Sequence, residues 1–406
     1  MQKFEKHSPV VVTEVTTKHE LRQFMQYPNR LYADNPNYIP SFYGDDLSDW
    51  TPGKNPAFDY CEARCWLARR DGEIVGRIGA ILSHKANDKF GTHRMRFSQV
   101  DFVDDSEVSA ALFGTVERWA REKGCDQVHG PLGFTDMDRE GMLVEGFDRR
   151  SLFFTNYNAP YYLEHLTRLG YRKDVDWIEY RITVPEPGGA EAERLHKLSE
   201  FILKRKHLHV ATVHHKSEYG PFVRQVFELV NAAYAPLYGV VELSDEQIER
   251  YANKFIPLVD PDFVCFVVDE QDQLVAFGVT ALDPSVALKH SDGRLFPFGW
   301  AGVLNDLHHS DTLIMLLTAV RPDLQAEGIN AVMMDHVCQS CNRHGVRFAE
   351  TGPMLELNDH ILAQWKRLEK EQHKRRRCFI KDLDHDVNAA NAAAAQTGTP
   401  ETESAE

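Results

Sequence analysis

The chain has 406 residues, 43% hydrophobic and 26% charged, with 46 Lys and Arg against 61 Asp and Glu. That length exceeds one ordinary core, so two or three domains are expected. A formal charge of -15 excludes non-specific nucleic-acid binding as a first reading, although a local basic cleft would still take an anionic ligand.

No apolar run nears the roughly 20 residues that cross a bilayer, and the start leads into no apolar segment. The expectation is a cytoplasmic protein with no membrane contact. Seven scattered cysteines do not form a disulfide framework, and the Cys338/Cys341 pair lies within a helix among core positions. No metal is expected.

The apolar stretch VVVTEV at residues 10–15 reads as a first strand, followed by a helix that Thr17 caps. Residues 29–59 mix prolines, Asn, Asp and aromatics and read as ordered loop with short helical turns. Residues 65–82 read as a hairpin turning at Asp71 and Gly72, and a strand follows at 95–103. Val108, Leu112, Val116, Trp119 and Ala120 mark one face of a helix that closes at Gly124. A strand at HGPLGF, a helix over 161–169 and a strand at WIEYRITV complete this unit.

A helix over 190–206 connects to a second round: a strand at 209–214, helices at 219–235 and 245–254, a hairpin at 263–282, and an interrupted segment at 283–310. The apolar run 313–320 then suits a strand covered on both faces, stopped by Arg321 and Pro322. Ile329, Val332, Met333, Val337 and Cys341 give the next helix, with Gly345 past its end. The turn between them holds Gln325, Glu327 and Gly328, and delivers the chain into helical amides that lack internal partners, a sound place for a phosphate. A strand at 346–350, a helix over 358–370 and the basic strand at 374–381 follow, and residues 385–406 read as a disordered tail.

The block VRPDLQAEGI at residues 320–329 resembles the acetyl-CoA loop of the GCN5-related N-acetyltransferase superfamily. Val320 and Pro322 match its turn, Gln325 its polar start and Gly328 its first glycine, while Asn330 stands where the family has a small residue. NAPYYLEHLTRLGY at 158–171 is similar to the superfamily's late helix. The resemblance implies an α/β (α+β mixed sheet) fold with two tandem acyl-CoA N-acyltransferase-like domains, each on a mostly antiparallel central sheet. Residues 1–189 would form the first, 190–207 the connecting helix and 208–384 the second. The first lacks the pyrophosphate turn: Asp101, Asp104 and Asp105 crowd the matching stretch, and carboxylates repel a pyrophosphate.

The resemblance implies acetyl-CoA or another acyl-CoA as donor, held by Val320, Arg321, Gln325, Ala326, Glu327, Gly328, Ile329 and Asn330, and an amine-bearing small molecule or peptide as acceptor. Glu350 is the candidate base and Tyr162 the candidate acid. Asp136, Asp138 and Glu140 crowd one loop of the first domain and suit a cationic acceptor in a composite site between the domains. Two other readings stand beside this one: a noncatalytic binding protein that retains the fold, and a transferase of aminoacyl or long-chain acyl groups. Either a monomer or a homodimer is compatible with the sequence.

Overall fold

The computed structural model describes residues 8–383. The expected disordered tail therefore lies outside the described residues. Fourteen strands form one sheet. In chain order they are β1 (Val11–Glu14), β2 (Cys61–Arg70), β3 (Glu73–Ser83), β4 (Arg94–Phe102), β5 (Gln127–Gly130), β6 (Met142–Glu145), β7 (Arg172–Thr183), β8 (His209–Val210), β9 (Val264–Val268), β10 (Leu274–Leu282), β11 (Thr312–Val320), β12 (Phe348–Glu350), β13 (Met354–Leu355) and β14 (Lys370–Asp382). Alternating apolar residues and positive-φ turn residues account for the hairpins: β2 passes to β3 through Asp71 at φ 52° and Gly72 at φ 85°.

The sheet runs β1-β2-β3-β4-β5-β14-β7-β12-β11-β10-β9-β8, with β6 paired to β14 and β13 to β7. Pairing is antiparallel except for β4 with β5 and β11 with β12, each in register for three residues before the strands part. The two halves exchange their last strands. β14 lies between β5 and β7, and β7 lies between β14 and β12, so the open edge that each half would leave is closed by the other. The central sheets expected of the two halves are joined through this exchange into one continuous sheet.

This exchange also accounts for the basic run at 374–377. Side chains alternate along a strand, so Lys374 and Arg376 face Glu179 on one side while Arg375 and Arg377 face Asp176 on the other. All four cations answer carboxylates of β7.

The helix Ser106–Glu122 buries Val108, Leu112, Val116 and Trp119 in the first half's core. In the second half, alternate residues of β9 and β10 feed two cores on opposite faces. Cys265, Val267 and Val275 meet the helices Ala190–Lys206 and Asn330–His344, and Phe266, Leu274 and Phe277 meet Gly220–Tyr234 and Asp245–Phe255. Two expected elements are shorter than their patterns indicated. The strand at 209–214 is only His209–Val210, and the helix at 358–370 is only Asp359–Ala363, because Lys370 already belongs to β14.

Candidate active site

In the second half β11 pairs with β12 only from Thr312 to Ile314. After Glu350 the chain turns away and β13 joins β7 instead. Met315, Leu316, Leu317 and Thr318 are therefore four consecutive half-buried residues of a strand whose preceding residues, Thr312 to Ile314, are buried. β11 then ends in a tight turn. Pro322–Leu324 forms a single 3-10 turn, Ala326 and Gly328 take φ 64° and 86°, and the helix Asn330–His344 begins at once.

Among the described residues no acceptor faces the amides of Ala326, Gly328 or Ile329. They stand at the positive end of a helix and form a nest for an anion. Glycine at 328 suits the φ of 86°, and a Cβ there would press on the tip of Ile202, 2.9 Å from its Cδ1. Ile202 belongs to Ala190–Lys206, whose last turn carries Lys204, Arg205 and Lys206, and Lys206 Nζ lies 2.6 Å from Glu327. The sequence reading treated that helix as a connector, so its basic end at the loop was missed. Its signal was the charge run itself.

Of the remaining loop residues, Gln325 donates to the carbonyl of Val320 at 3.3 Å, Arg321 pairs with Asp323 at 2.7 Å, and Ile329 is buried in the core. Asn330 takes the first helical position and lines a cavity of about 90 Å³ between the helix and the parted strands. Its walls are otherwise almost wholly apolar, with Met333, Met334 and Val337 above and Met315, Leu317 and Trp365 around. A second apolar cavity, about 60 Å³, lies on the other face between Val226, Phe227, Phe255 and Phe266. Leu317 lines both.

The first half has filled the equivalent positions. β4 runs into its helix through Asp105, whose Oδ1 accepts from the amides of Glu107 at 2.8 Å and Val108 at 3.4 Å, so the donors that would hold a phosphate are taken. Tyr162 is fully buried, stacked on Phe102 at 4.1 Å; its hydroxyl accepts from the Phe102 amide at 2.7 Å and lies 2.7 Å from that of Tyr32. The structure does not bring Tyr162 to the second half's gap. A buried pair across β3 and β4, Arg77 to Asp101 at 2.7 Å, lines a small cavity together with Gln99 and Arg139.

The acidic loop behaves differently. It follows β5 and reaches across the seam, where Met137 packs into the second half's apolar cluster with Leu316 and Leu317. Asp138 accepts from the amides of Phe134 at 2.8 Å and Thr135 at 3.2 Å, which fixes the turn. Burial pushes Asp136 up to about 6, with the Asp138 carboxylate adding to the effect. Burial likewise raises Asp138, and it raises Glu140 well above the usual carboxylate range. Neither Asp136 nor Glu140 has an ion-pair partner among the described residues. The packing of Met137 with Leu316 and Leu317 sets the loop beside β11, where the Tyr234 hydroxyl donates to the carbonyl of Thr318 at 2.8 Å.

Glu350 sits at the apex of the gap, opposite Ile314, with Lys374 at 3.3 Å and His373 at 3.8 Å. Burial raises it and Lys374 opposes the rise. Elsewhere on the seam, donor atoms of His129, Asp174 and Cys378 lie within 4.8 Å of one another, as in a metal site. The hydroxyl of Tyr238 stands among them, 2.9 Å from His129 Nδ1, 2.5 Å from Asp174 Oδ2 and 3.5 Å from Cys378 Sγ. The loop carrying Tyr238 is tied down from the first half by Lys89 and Arg96, which donate to the carbonyls of Ala235, Val240 and Gly239.

Among solved structures, the chain resembles a tandem acetyltransferase of the GCN5-related group from the clavulanic acid biosynthesis pathway, with TM-score 0.52 at 14% identity over 92% of this chain and 99% of that one. The GCN5-related N-acetyltransferase from Sphaerobacter thermophilus gives TM-score 0.50 at 13% identity, covering 93% and 97%. The fold is the GCN5-related N-acetyltransferase fold, in duplicate. No protein-family model matches the chain. Two curated proteins are similar in sequence. Protein YghO of Escherichia coli (strain K12) is 27% identical over 379 residues, 92% of this chain and 95% of that one. Bacterial ceramide synthase of Caulobacter vibrioides (strain NA1000 / CB15N) is 28% identical over 300 residues, 72% and 75%.

Proposed function

We propose that the protein is an acyl-CoA-dependent N-acyltransferase that takes a long-chain donor on its second half and an amphiphilic amine at the seam. The observation that carries this reading is the Gly328 turn with its free amides, followed at once by a helix whose first residue, Asn330, lines an apolar cavity at the parted strands. The amides of Ala326, Gly328 and Ile329 would hold the pyrophosphate, supported by the basic end of Ala190–Lys206. The unpaired edge of β11 offers backbone groups to the pantetheine arm, and the cavity under Met333 and Val337 suits a hydrocarbon chain better than an acetyl group.

The acceptor arrives as an ammonium ion, which the loop of Asp136, Asp138 and Glu140 attracts. Attack on the thioester needs the free amine, so a group must take its proton. Asp136 is ionised at neutral pH and, held near 6, is a far better acceptor than an ordinary carboxylate. The nitrogen then bonds to the thioester carbon and the C–S bond breaks; the nitrogen gives up its second proton to become the amide, and the departing thiolate takes up that proton and leaves as free CoA thiol. A relative named for ceramide synthesis is in keeping with an amine that itself carries a long chain.

The test is release of free CoA from acyl-CoAs of graded length with a panel of long-chain amines. Met333→Trp, which fills the cavity, should shift the preference to shorter donors. Turnover indifferent to both chain length and this substitution would remove the cavity from donor binding.

A further inference from the structure

The strand exchange brings three side chains of metal-binding type to one face of the shared sheet. His129 lies in β5, Asp174 in β7, and Cys378 in β14, the strand between them. His129 pairs with Ile380, two residues from Cys378, so the alternation along β14 sets both on the same face. Asp174 would face away in a regular ladder. Cys378, however, pairs with Val175 and Phe379 with Lys173, so Asp174 is the extra residue of a bulge, a device that re-aims a side chain. Its Oδ2 lies 3.9 Å from Nδ1 of His129, and the donor atoms of all three residues are within 4.8 Å of one another.

Tyr238, from the second half, brings a fourth donor to the group. Its hydroxyl is 2.9 Å from His129, 2.5 Å from Asp174 and 3.5 Å from Cys378. A phenol has one proton to give, and the short contact to Asp174 takes it. A thiol at 3.5 Å is a weak hydrogen-bonding partner. Hydrogen bonding therefore accounts for Tyr238 and Asp174 but not for the convergence of a thiol and an imidazole on the same point. Four-coordinate zinc, with bonds of about 2.0–2.3 Å, holds its ligands about 3.3–3.8 Å apart, and the separations here bracket that spacing. His129 and Cys378 are buried, while Asp174 and Tyr238 are half-buried and leave a way in from solvent.

We infer that His129 Nδ1, Asp174 Oδ2 and Cys378 Sγ bind a zinc ion, with the Tyr238 hydroxyl in the fourth position. Sulfur and imidazole nitrogen select zinc over the hard cations magnesium and calcium. The charges balance: Cys378 releases its thiol proton to solvent on binding, and the thiolate and the Asp174 carboxylate together neutralise the divalent ion beside a neutral imidazole. With four protein donors the site is structural. It ties β5 and β7 to the exchanged β14 and pins the Tyr238 loop over them. Leu132, just before the acidic loop, packs in the same cluster as Cys378, so the ion also anchors the base of that loop. The ligands stand far apart in the chain, and no spacing motif announces them.

The experiment is metal analysis of the intact, untagged chain purified without chelator, followed by replacement of the metal with cobalt. About one zinc per chain is expected, and the cobalt form should show a thiolate-to-cobalt band in the near ultraviolet with the strong visible bands of a four-coordinate ion. Cys378→Ser should abolish the near-ultraviolet band and weaken zinc binding at least about tenfold. Asp174→Asn, at a half-buried side chain whose shape the amide keeps, should weaken zinc binding likewise and carries the test if Cys378→Ser folds poorly. A chelator should lower the melting temperature of the intact chain and leave that of Asp174→Asn unmoved. A folded intact chain that holds no zinc and gives no cobalt band overturns the inference and leaves a hydrogen-bonded hub around Tyr238. Equal zinc binding by the intact chain and both variants overturns it too, by placing the ion elsewhere. Metal content is read without any acyl-CoA, so this inference and the function proposed above fail separately.

Discussion

The carboxylate of Glu179 on β7 lies 2.5 Å from Nε of Arg376 on β14, and both side chains are fully buried. Each half thus supplies one charge of an ion pair at the centre of the shared sheet, with Lys374 Nζ 3.2 Å from the same carboxylate. Glu179→Ala would leave the buried Arg376 without a carboxylate and Lys374 with Glu350 alone, and should cost about 3–5 kcal/mol of stability. Urea unfolding measures this; a loss within about 0.5 kcal/mol, as for an ordinary surface substitution, would contradict the exchange as a stabilising feature.

The same carboxylate sets an acid limit. Burial alone would raise Glu179, but Arg376, then Lys374 and His373, outweigh burial and hold it at about 2. A folded-state value below the unfolded one means stability that is present above the ordinary glutamate range of about 4.3 and is lost as pH falls toward 2. Melting temperature should drop across that window, and Glu179→Gln should flatten the drop.

Asp136 gives the opposite sign. Its folded-state value, near 6, lies above that of an unfolded aspartate, so the native state loses stability as pH rises from about 4 to 6. Asp136→Asn should therefore melt at the same temperature or higher at neutral pH, while acyl transfer falls by about 10²–10⁴. In the intact enzyme kcat/KM should decline below pH 6; a flat profile from pH 5 to 8 would remove Asp136 as the proton acceptor.

Tyr162→Phe removes a hydroxyl that answers Tyr32 and the Phe102 amide inside the first half's core. The expected result is a loss of about 1–3 kcal/mol with turnover of the remaining folded enzyme unchanged. A fall in kcat without a fall in stability would give the hydroxyl a part in the chemistry.

Most of the fold was legible because local patterns were strong. The Asp71–Gly72 turn, the helix face running from Val108 to Trp119 and the apolar run of β11 each follow from local sequence. The strand exchange was not legible. Pairing partners are set by which edge lies open in three dimensions, and nothing local distinguishes a β14 that returns to its own half from one that crosses. The Gly328 turn could be read from spacing, and the acidic loop from composition. The basic end of Ala190–Lys206 was visible as charge but not as a neighbour of the turn, since that contact spans more than a hundred residues. Tyr162 drew attention by its place in a familiar helix, yet burial decided its environment.

The central claim is that the donor sits on the second half at the Gly328 turn. Calorimetry of CoA and long-chain acyl-CoA binding, on the intact chain and on Gly328→Arg, tests it most directly. The account predicts saturable binding, tighter for the long-chain thioester, that the substitution abolishes while the melting transition persists. Equal binding by the two proteins, or none by the folded intact chain, would contradict it.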